Sequence, residues 1–72
     1  MPESTATTIT ANGRSFTVAE GTPLPDFIRS LDLPPEQVVV EYNGEALSPS
    51  ESARVALKPG DRLELVRVVA GG

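Results

Sequence analysis

The sequence predicts an α+β fold in which one main helix packs on a mixed sheet of four or five strands. Short runs of alternating apolar and polar residues stand on both sides of a single amphipathic segment that begins after Gly21. The 72 residues allow one small domain and leave no room for a second. A two-stranded hairpin cannot bury its apolar face alone, so the helix must cover a wider sheet.

The composition is that of a small globular protein with little chemistry of its own. Apolar residues make up 39% of the chain and charged residues 22%. The chain has no Cys and no His, which excludes disulfides and thiolates and removes the commonest general base and metal ligand. Serine and threonine hydroxyls therefore lack a partner for nucleophilic catalysis, and a metal site is not expected.

The charge excludes further classes of partner. Ten acidic and six basic residues give a net charge of −4, and the basic residues are scattered singly, which argues against nucleic acid. No apolar run approaches the roughly 18 residues of a membrane span, and the N-terminus lacks signal-peptide features. We expect a cytoplasmic protein, monomeric when free, that favours a partner with a basic face.

A β-hairpin is predicted after a flexible N-terminal tail of residues 1–6. Alternating residues flank Asn12-Gly13, and Asn-Gly is a strong hairpin signal because both turn positions favour positive φ. A two-residue turn places Ile9 opposite Phe16. Directly opposed residues share a face, so Ile9, Phe16 and Val18 are expected to lie together.

The main helix is predicted in the segment that follows the hairpin. Thr22 is the candidate N-cap and Pro23 fits the first helical position, while Pro25 is an alternative start. Pro34-Pro35 is expected to end the helix. Its apolar stripe, at positions i, i+3, i+4 and i+7, consists of Leu24, Phe27, Ile28 and Leu31.

Two more strands and a helical turn are predicted next. Val38–Tyr42 is the most β-prone segment, and Asn43-Gly44 turns the chain toward a very short strand at Ala46-Leu47. Residues 48–51, Ser-Pro-Ser-Glu, have a capping-box pattern that predicts a single helical turn. Residues 58–61, Lys-Pro-Gly-Asp, have the Pro-Gly centre of a type II turn.

The last strand is predicted from about Arg62 to Val69. It is expected to pair with the first strand, because a sole long helix needs a wide sheet to cover. This arrangement is a β-grasp roll of residues 7–69, followed by a flexible C-terminal tail of residues 70–72.

Paired carboxylates are the remaining candidates for acid–base chemistry. Asp61 and Glu64 are close in sequence, as are Glu41 and Glu45. We interpret them as solvated charges of strands and turns, because most surface charges carry no chemistry. Lys58, the only lysine, lies in the Pro-Gly turn and is expected to be solvated. No catalytic residue is predicted.

The end of the sequence is the more informative candidate site. With Gly72 taken as the C-terminus, its α-carboxylate follows a second glycine directly after an apolar strand. Two glycines give a thin chain with wide conformational freedom. We expect Ala70, Gly71 and Gly72 to form a flexible tail that threads into the active site of a partner enzyme.

A partner-contact patch is predicted on the sheet beside this tail. If Leu63 and Leu65 point to the core, strict alternation sends Val66 and Val68 outward. Together with Val39 they form an exposed apolar patch that fits a protein partner. A bulge near Arg67 is the alternative, and it would bury Val68.

Two segments resemble the ThiS family, the ubiquitin-like β-grasp sulfur carrier proteins of thiamine biosynthesis. Residues 60–72, GDRLELVRVVAGG, resemble the end of that family, and residues 38–45, VVVEYNGE, resemble its central strand and turn. The resemblance covers residues 8–72, and the Gly-Gly end is shared by all ubiquitin-like carriers. Many relatives have a basic residue shortly after the Asn-Gly-Glu turn, whereas residues 47–50 contain none.

The resemblance implies a carrier cycle in which this chain is the substrate. A ThiF-like adenylyltransferase uses ATP and Mg²⁺ to convert the Gly72 carboxylate into an acyl-adenylate, and the carrier itself binds no cofactor. Sulfur from a cysteine desulfurase persulfide then displaces AMP and leaves a thiocarboxylate on Gly72. Thiazole synthase takes that sulfur into the thiazole ring of thiamine.

Three alternatives remain open at this stage. A related carrier could serve molybdopterin synthesis or tRNA thiolation. A ubiquitin-like protein modifier would be conjugated to lysines through its C-terminal Gly. An unrelated binding module would not need Gly71 and Gly72 at all.

Overall fold

The structure, a computed structural model, describes residues 5–68, and this part of the chain begins with a β-hairpin. Strand β1 (Ala6–Ala11) pairs antiparallel with β2 (Arg14–Ala19), and Ile9 lies opposite Phe16 as predicted. The two-residue turn between the strands has positive φ at both positions, as the Asn-Gly sequence requires.

The hairpin begins slightly earlier than predicted. Ala6 already belongs to β1, and the carbonyl of Thr5 accepts a hydrogen bond of 2.8 Å from the backbone N–H of Glu20. The sheet therefore includes a residue that the sequence placed in the N-terminal tail. Residues 1–4 of that tail lie outside the described residues.

Helix α1 (Leu24–Ser30) begins one residue later than predicted. The N-cap is Pro23, and the Thr22 hydroxyl instead donates to the carbonyl of Ala19 at 2.5 Å. The prediction of Thr22 as the N-cap is therefore wrong, because its side chain closes the preceding turn. Pro25 stands in the first helical turn, where its missing N–H would have no intrahelical partner.

Helix α1 also ends before the prolines that were expected to end it. Leu31 is the C-cap, and Asp32 follows with φ of 63° in the left-handed region. The N–H groups of Asp32 and Leu33 donate back to the carbonyls of Arg29 and Ile28, the hydrogen-bond pattern of a Schellman motif. A short aspartate tolerates this conformation, so the helix ends without a glycine.

The central segment follows its predictions closely. A 3₁₀ turn (Pro35–Gln37) leads into β3 (Val38–Tyr42), which pairs antiparallel with the short strand β4 (Glu45–Leu47). Helix α2 (Pro49–Ser52) is a single turn. Ser48 and Glu51 form the predicted capping box around its first residues.

Strand β5 (Arg62–Arg67) completes the sheet and lies at its centre. It pairs parallel with β1 and antiparallel with β3, which gives the strand order β2-β1-β5-β3-β4. The predicted pairing of the first and last strands is thus confirmed. The mixed five-stranded sheet with one main helix is a ubiquitin-like β-grasp fold.

The core lies between α1 and one face of the sheet. From the helix come Leu24, Phe27 and Ile28, each at most 3% exposed. The ring of Phe27 meets the ring of Phe16 edge to face, with centroids 5.3 Å apart. The other buried apolar residues are Ile9, Ala11, Val40, Leu57, Leu63 and Leu65.

The segment between α2 and β5 holds the start of α1 in place. The N–H of Leu24 donates to the carbonyl of Val55, and the N–H of Leu57 donates to the carbonyl of Thr22, each at 2.9 Å. Leu57 itself is fully buried. The first of these bonds gives a partner to the N–H of Leu24, which has none within the helix, and the second fixes the residue before the N-cap.

Candidate functional site

The face of the sheet opposite α1 carries the predicted partner-contact patch. Leu63 and Leu65 of β5 are buried, and the alternation continues without a bulge, so Val66 points to the other face. Val39 of β3 lies directly opposite Val66 in the register. The side chains of Val39, Val66 and Val68 are 50%, 60% and 47% exposed, and we call these three residues the valine surface.

Two glutamates extend the same face beside the valine surface. Glu41 of β3 lies directly opposite Glu64 of β5, and both are exposed. A shallow depression of about 360 Å³ includes Val39, Val66 and both glutamates in its lining. The face therefore offers an apolar contact and two carboxylates side by side. Glu45, the other member of the sequence pair Glu41 and Glu45, is exposed on β4.

The valine surface adjoins the end of the described chain. The N–H of Val68 donates to the carbonyl of Gln37 at 2.7 Å, so the pairing of β5 with the β3 segment extends one residue past Arg67. The predicted site residues Ala70, Gly71 and Gly72 lie outside the described residues, as does Val69. Their threading role stays a prediction.

Asp61 is buried, and its interpretation as a solvated turn charge was wrong. The residue is 4% exposed. Its Oδ2 accepts hydrogen bonds from the Tyr42 hydroxyl at 2.7 Å and from the Lys58 backbone N–H at 2.8 Å. Its Oδ1 accepts from the Asn43 side-chain amide at 3.2 Å. Three donors thus surround one carboxylate, two from the end of β3 and the turn after it and one from the segment before β5.

The hydrogen bonds decide the ionisation of Asp61. Burial raises the pKa of its carboxyl, but the donors from Tyr42, Lys58 and Asn43, together with the Lys58 charge, lower that pKa by more. The net pKa lies below the ordinary value. Asp61 is therefore ionised at neutral pH and acts as a structural acceptor that joins the β3–β4 turn to the start of β5.

Tyr42 connects this carboxylate to Lys58. The Lys58 Nζ donates to the Tyr42 hydroxyl at 3.1 Å and lies 5.6 Å from the centre of the Tyr42 ring. Burial and the hydrogen bond to Asp61 raise the pKa of the Tyr42 hydroxyl, against an opposing effect of Lys58. Hydrogen bonding to Tyr42 raises the pKa of Lys58, which remains exposed on the surface.

Two asparagines have structural roles that the sequence analysis missed. The side chain of Asn12 donates to the Leu65 carbonyl at 3.1 Å and accepts from the Leu65 N–H at 2.8 Å, which continues the β1–β5 pairing beyond the end of β1. The Asn43 Oδ1 accepts from the Arg62 N–H at 2.8 Å. The Asn-Gly pattern identified both turns, but no local signal gives the long-range partners.

Two kinds of feature are absent from residues 5–68, a cluster of metal-ligating side chains and a membrane-spanning helix. Residues 5–68 contain no group of three or more aspartate, glutamate, histidine or cysteine side chains that could hold an ion. Within the same range, no helix is long and apolar enough to cross a bilayer.

Comparisons with known proteins place the chain in a family. The sequence model of the ThiS family matches residues 5–72. A crystal structure of the thiamine biosynthesis protein ThiS from Geobacter metallireducens is 32% identical, with a TM-score of 0.73. The match covers 90% of this chain and 99% of that one. No curated protein sequence matches significantly.

Two proteins designed on ubiquitin share the fold. The solution structure of a computationally designed protein based on human erythrocytic ubiquitin is 29% identical, with a TM-score of 0.56, and the match covers 93% of this chain and 95% of that one. A second ubiquitin-based design is 30% identical, with a TM-score of 0.52 and coverage of 99% and 96%. With the ThiS match over nearly the whole chain, these findings show that the protein belongs to the ThiS family of small ubiquitin-like sulfur carriers.

Proposed function

We propose that this protein carries sulfur, as a thiocarboxylate on Gly72, to the enzyme that forms the thiazole ring of thiamine. The observation that carries the proposal is the ThiS family match, which extends through residues 71 and 72. Membership of the family alone does not distinguish thiamine synthesis from the other uses of a β-grasp carrier. The similarity to a thiamine biosynthesis protein favours this pathway over those alternatives.

The proposed cycle begins with activation of the Gly72 carboxylate. A ThiF-like adenylyltransferase transfers AMP from ATP to that carboxylate, with Mg²⁺ bound by the enzyme, and releases pyrophosphate. The terminal sulfur of a cysteine desulfurase persulfide then attacks the acyl carbon and releases AMP. Cleavage of the resulting S–S bond by a second thiol leaves the thiocarboxylate on Gly72 and a disulfide on the partner.

The catalytic groups in this cycle come from the partners. The chain has no Cys to form a persulfide and no His to act as a base. Its own contribution is an electrophilic carbonyl carbon and a surface that positions it. Because ATP and the desulfurase act in the cytoplasm, we place the cycle there.

The valine surface is the proposed docking site for these partners. Gly72 lies five residues after Arg67, and an extended chain spans at most about 3.6 Å per residue. A partner that contacts the valine surface can therefore place its active site within about 18 Å of the end of β5. Exposed apolar residues next to a reactive terminus are a reasonable basis for such docking.

Intact mass is the direct test of the sulfur chemistry. The carrier is incubated with its adenylyltransferase, a cysteine desulfurase, cysteine, ATP and Mg²⁺, and its mass should rise by the replacement of one oxygen with sulfur. A variant lacking Gly72 is the matched control and should not change. Loss of growth on deletion of the gene, restored by added thiamine, assigns the pathway.

Two other outcomes would identify a different function for the carrier. An unmodified carrier pool, together with larger proteins that bear the carrier on lysines, would identify a protein modifier. A thiocarboxylate without any thiamine requirement would identify a carrier for molybdopterin or tRNA thiolation.

Val66→Asp tests the docking surface separately from the chemistry. We expect at least a tenfold loss in adenylylation at low carrier concentration, with the domain still folded, because Val66 is 60% exposed and lies outside the core. Thr17→Asp, an exposed change in β2, is the control. Unfolding of Val66→Asp, or normal adenylylation, would contradict the proposal.

A further inference from the structure

The two glutamates beside the valine surface face each other at close range. Glu41 and Glu64 are directly opposed in the β3–β5 register. The ladder bonds from Asn43 N–H to the Arg62 carbonyl and from Val68 N–H to the Gln37 carbonyl fix the alternation of that ladder. They place the glutamates in a hydrogen-bonded pair, where Cα atoms are about 5.5 Å apart and side chains share a face.

No cation of residues 5–68 forms an ion pair with either glutamate. Within residues 5–68, the one ion pair joins Arg29 and Asp26 on α1. Arg62 stands on the same strand and face as Glu64, but it makes no ion pair with either glutamate. Like charges directly opposed across two strands destabilise a sheet, so the free protein keeps an unfavourable feature at its centre.

Apolar residues lie next to the glutamate pair, so a partner side chain can contact both. Val39 and Val66, the next outward pair along the same two strands, are also directly opposed, and the two pairs line one depression. A side chain that enters it meets apolar surface along its stem and carboxylates at its end. A long aliphatic stem with a cationic head satisfies both demands.

We propose that the adenylyltransferase inserts an arginine between Glu41 and Glu64 while its apolar side chains cover the valine surface. The inference rests on the proposed function, because it takes the carrier's partner as the occupant. A planar guanidinium has enough donors to bind two carboxylates at once, which the point charge of a lysine does less well. Binding removes the repulsion that the free carrier tolerates.

The charge argues against a second copy of this chain on the same face. A two-fold contact through the valine surface would place the glutamate pair of one protomer near that of its partner. The chain as a whole carries −4, which adds to the repulsion. A basic enzyme surface is favoured by the same charges.

The proposal predicts opposite effects on stability and on binding. Glu41→Gln/Glu64→Gln should unfold at a higher temperature than the wild type, because the repulsion is gone. The same variant should bind the adenylyltransferase about tenfold more weakly at low salt, and its affinity should depend less on salt concentration. Calorimetric unfolding and titration with the purified enzyme measure the two effects.

Glu41→Lys sharpens the test, because it creates an opposite-charge pair with Glu64 across the strands. We expect a further rise in the unfolding temperature and weaker binding than the glutamine variant shows. Glu45→Gln removes an exposed charge from the neighbouring strand and is the control that should change neither quantity. Wild-type affinity in the glutamine and lysine variants would overturn the proposal.

The outcomes separate this inference from the proposed function. If Val66→Asp abolishes adenylylation while both glutamate variants bind normally, docking on the valine surface stands and the arginine contact is refuted. If the wild-type carrier is not adenylylated at all, the proposed function fails first. Self-association of the glutamine variant would instead identify a second copy as the occupant and overturn the arginine contact.

Discussion

Asp61→Asn is the substitution that tests most directly how the fold is held together. The carboxylate accepts three hydrogen bonds, from Tyr42, from Lys58 and from Asn43. An asparagine in its place has one acceptor oxygen and one amide group that only donates. If the oxygen keeps the bonds to Tyr42 and Lys58, the new amide faces the donor amide of Asn43.

The neighbouring contacts prevent an easy rearrangement. Rotation of the Asn43 amide would turn an acceptor toward the new donor, but the Asn43 Oδ1 already accepts from the Arg62 N–H at 2.8 Å. One buried donor must therefore lose its partner. A lost bond to a charged acceptor and an unsatisfied buried group each cost about 1–3 kcal/mol, so we expect a total loss of about 2–6 kcal/mol.

Such a loss is large for a domain of this size. At about 0.05–0.15 kcal/mol per residue, the whole chain is stable by about 4–11 kcal/mol, so a loss of about 2 kcal/mol or more removes at least about a fifth of that stability. Urea unfolding followed by circular dichroism measures the difference. Asp26→Asn, which removes a carboxylate from an exposed ion pair with Arg29, is the control and should cost no more than about 0.5 kcal/mol.

The dependence of the free energy of unfolding on pH below neutrality is an independent check on the role of Asp61. The pKa of Asp61 is lower in the folded protein than in the unfolded chain, so its stabilising effect is complete above the unfolded pKa. That effect is lost as the pH falls through the folded pKa. Below about pH 4 the wild type should lose stability more steeply than Asp61→Asn. Parallel acid limbs, or a urea midpoint within error of the wild type, would refute the reasoning.

Two further predictions concern the contacts that join distant turns. Asn12→Gly keeps the positive φ of the hairpin turn but loses both hydrogen bonds to the Leu65 backbone. We therefore expect the free energy of unfolding, measured in urea, to fall by about 1–2 kcal/mol. A fall below about 0.5 kcal/mol would show that these bonds do not stabilise the fold. Tyr42 is the only tyrosine and the chain has no tryptophan, so tyrosinate absorbance reports its pKa alone. Burial and Asp61 raise the pKa of Tyr42 while Lys58 lowers it, so the midpoint of the tyrosinate titration should lie above the ordinary value. That midpoint should fall in Asp61→Asn and rise in Lys58→Met. The reverse order would contradict the assigned network.

The register of the hairpin and the outward positions of the valines could be predicted because local chemistry specifies them. Asn12-Gly13 fixes a two-residue turn, and that turn fixes the pairing of Ile9 with Phe16. The outward positions of Val39 and Val66 follow from alternation on strands that were recognised from composition. These features depend on neighbours only a few residues away, so one sequence is enough to predict them.

The features that the sequence missed depend on distant partners. Asp61 follows a Pro-Gly turn and resembles any solvated turn residue, but Tyr42 and Asn43 approach it from the β3–β4 region and bury it. Thr22 has the right residue type for an N-cap, but its hydroxyl donates to the carbonyl of Ala19 instead. Helix propensity does not predict that Asp32 adopts the left-handed conformation.

The acidic residues differ in burial and in their effect on stability between the two sides of the sheet. Asp61 is buried and satisfied, so its replacement should destabilise the protein. Glu41 and Glu64 on the open face are exposed and repel each other, so their replacement should stabilise the free carrier. If the open face binds an arginine, selection for stability alone would remove the residues on which recognition depends. A library of carrier variants sorted by unfolding temperature should thus be enriched in changes at Glu41 and Glu64 that fail in adenylylation, while changes at Asp61 are lost.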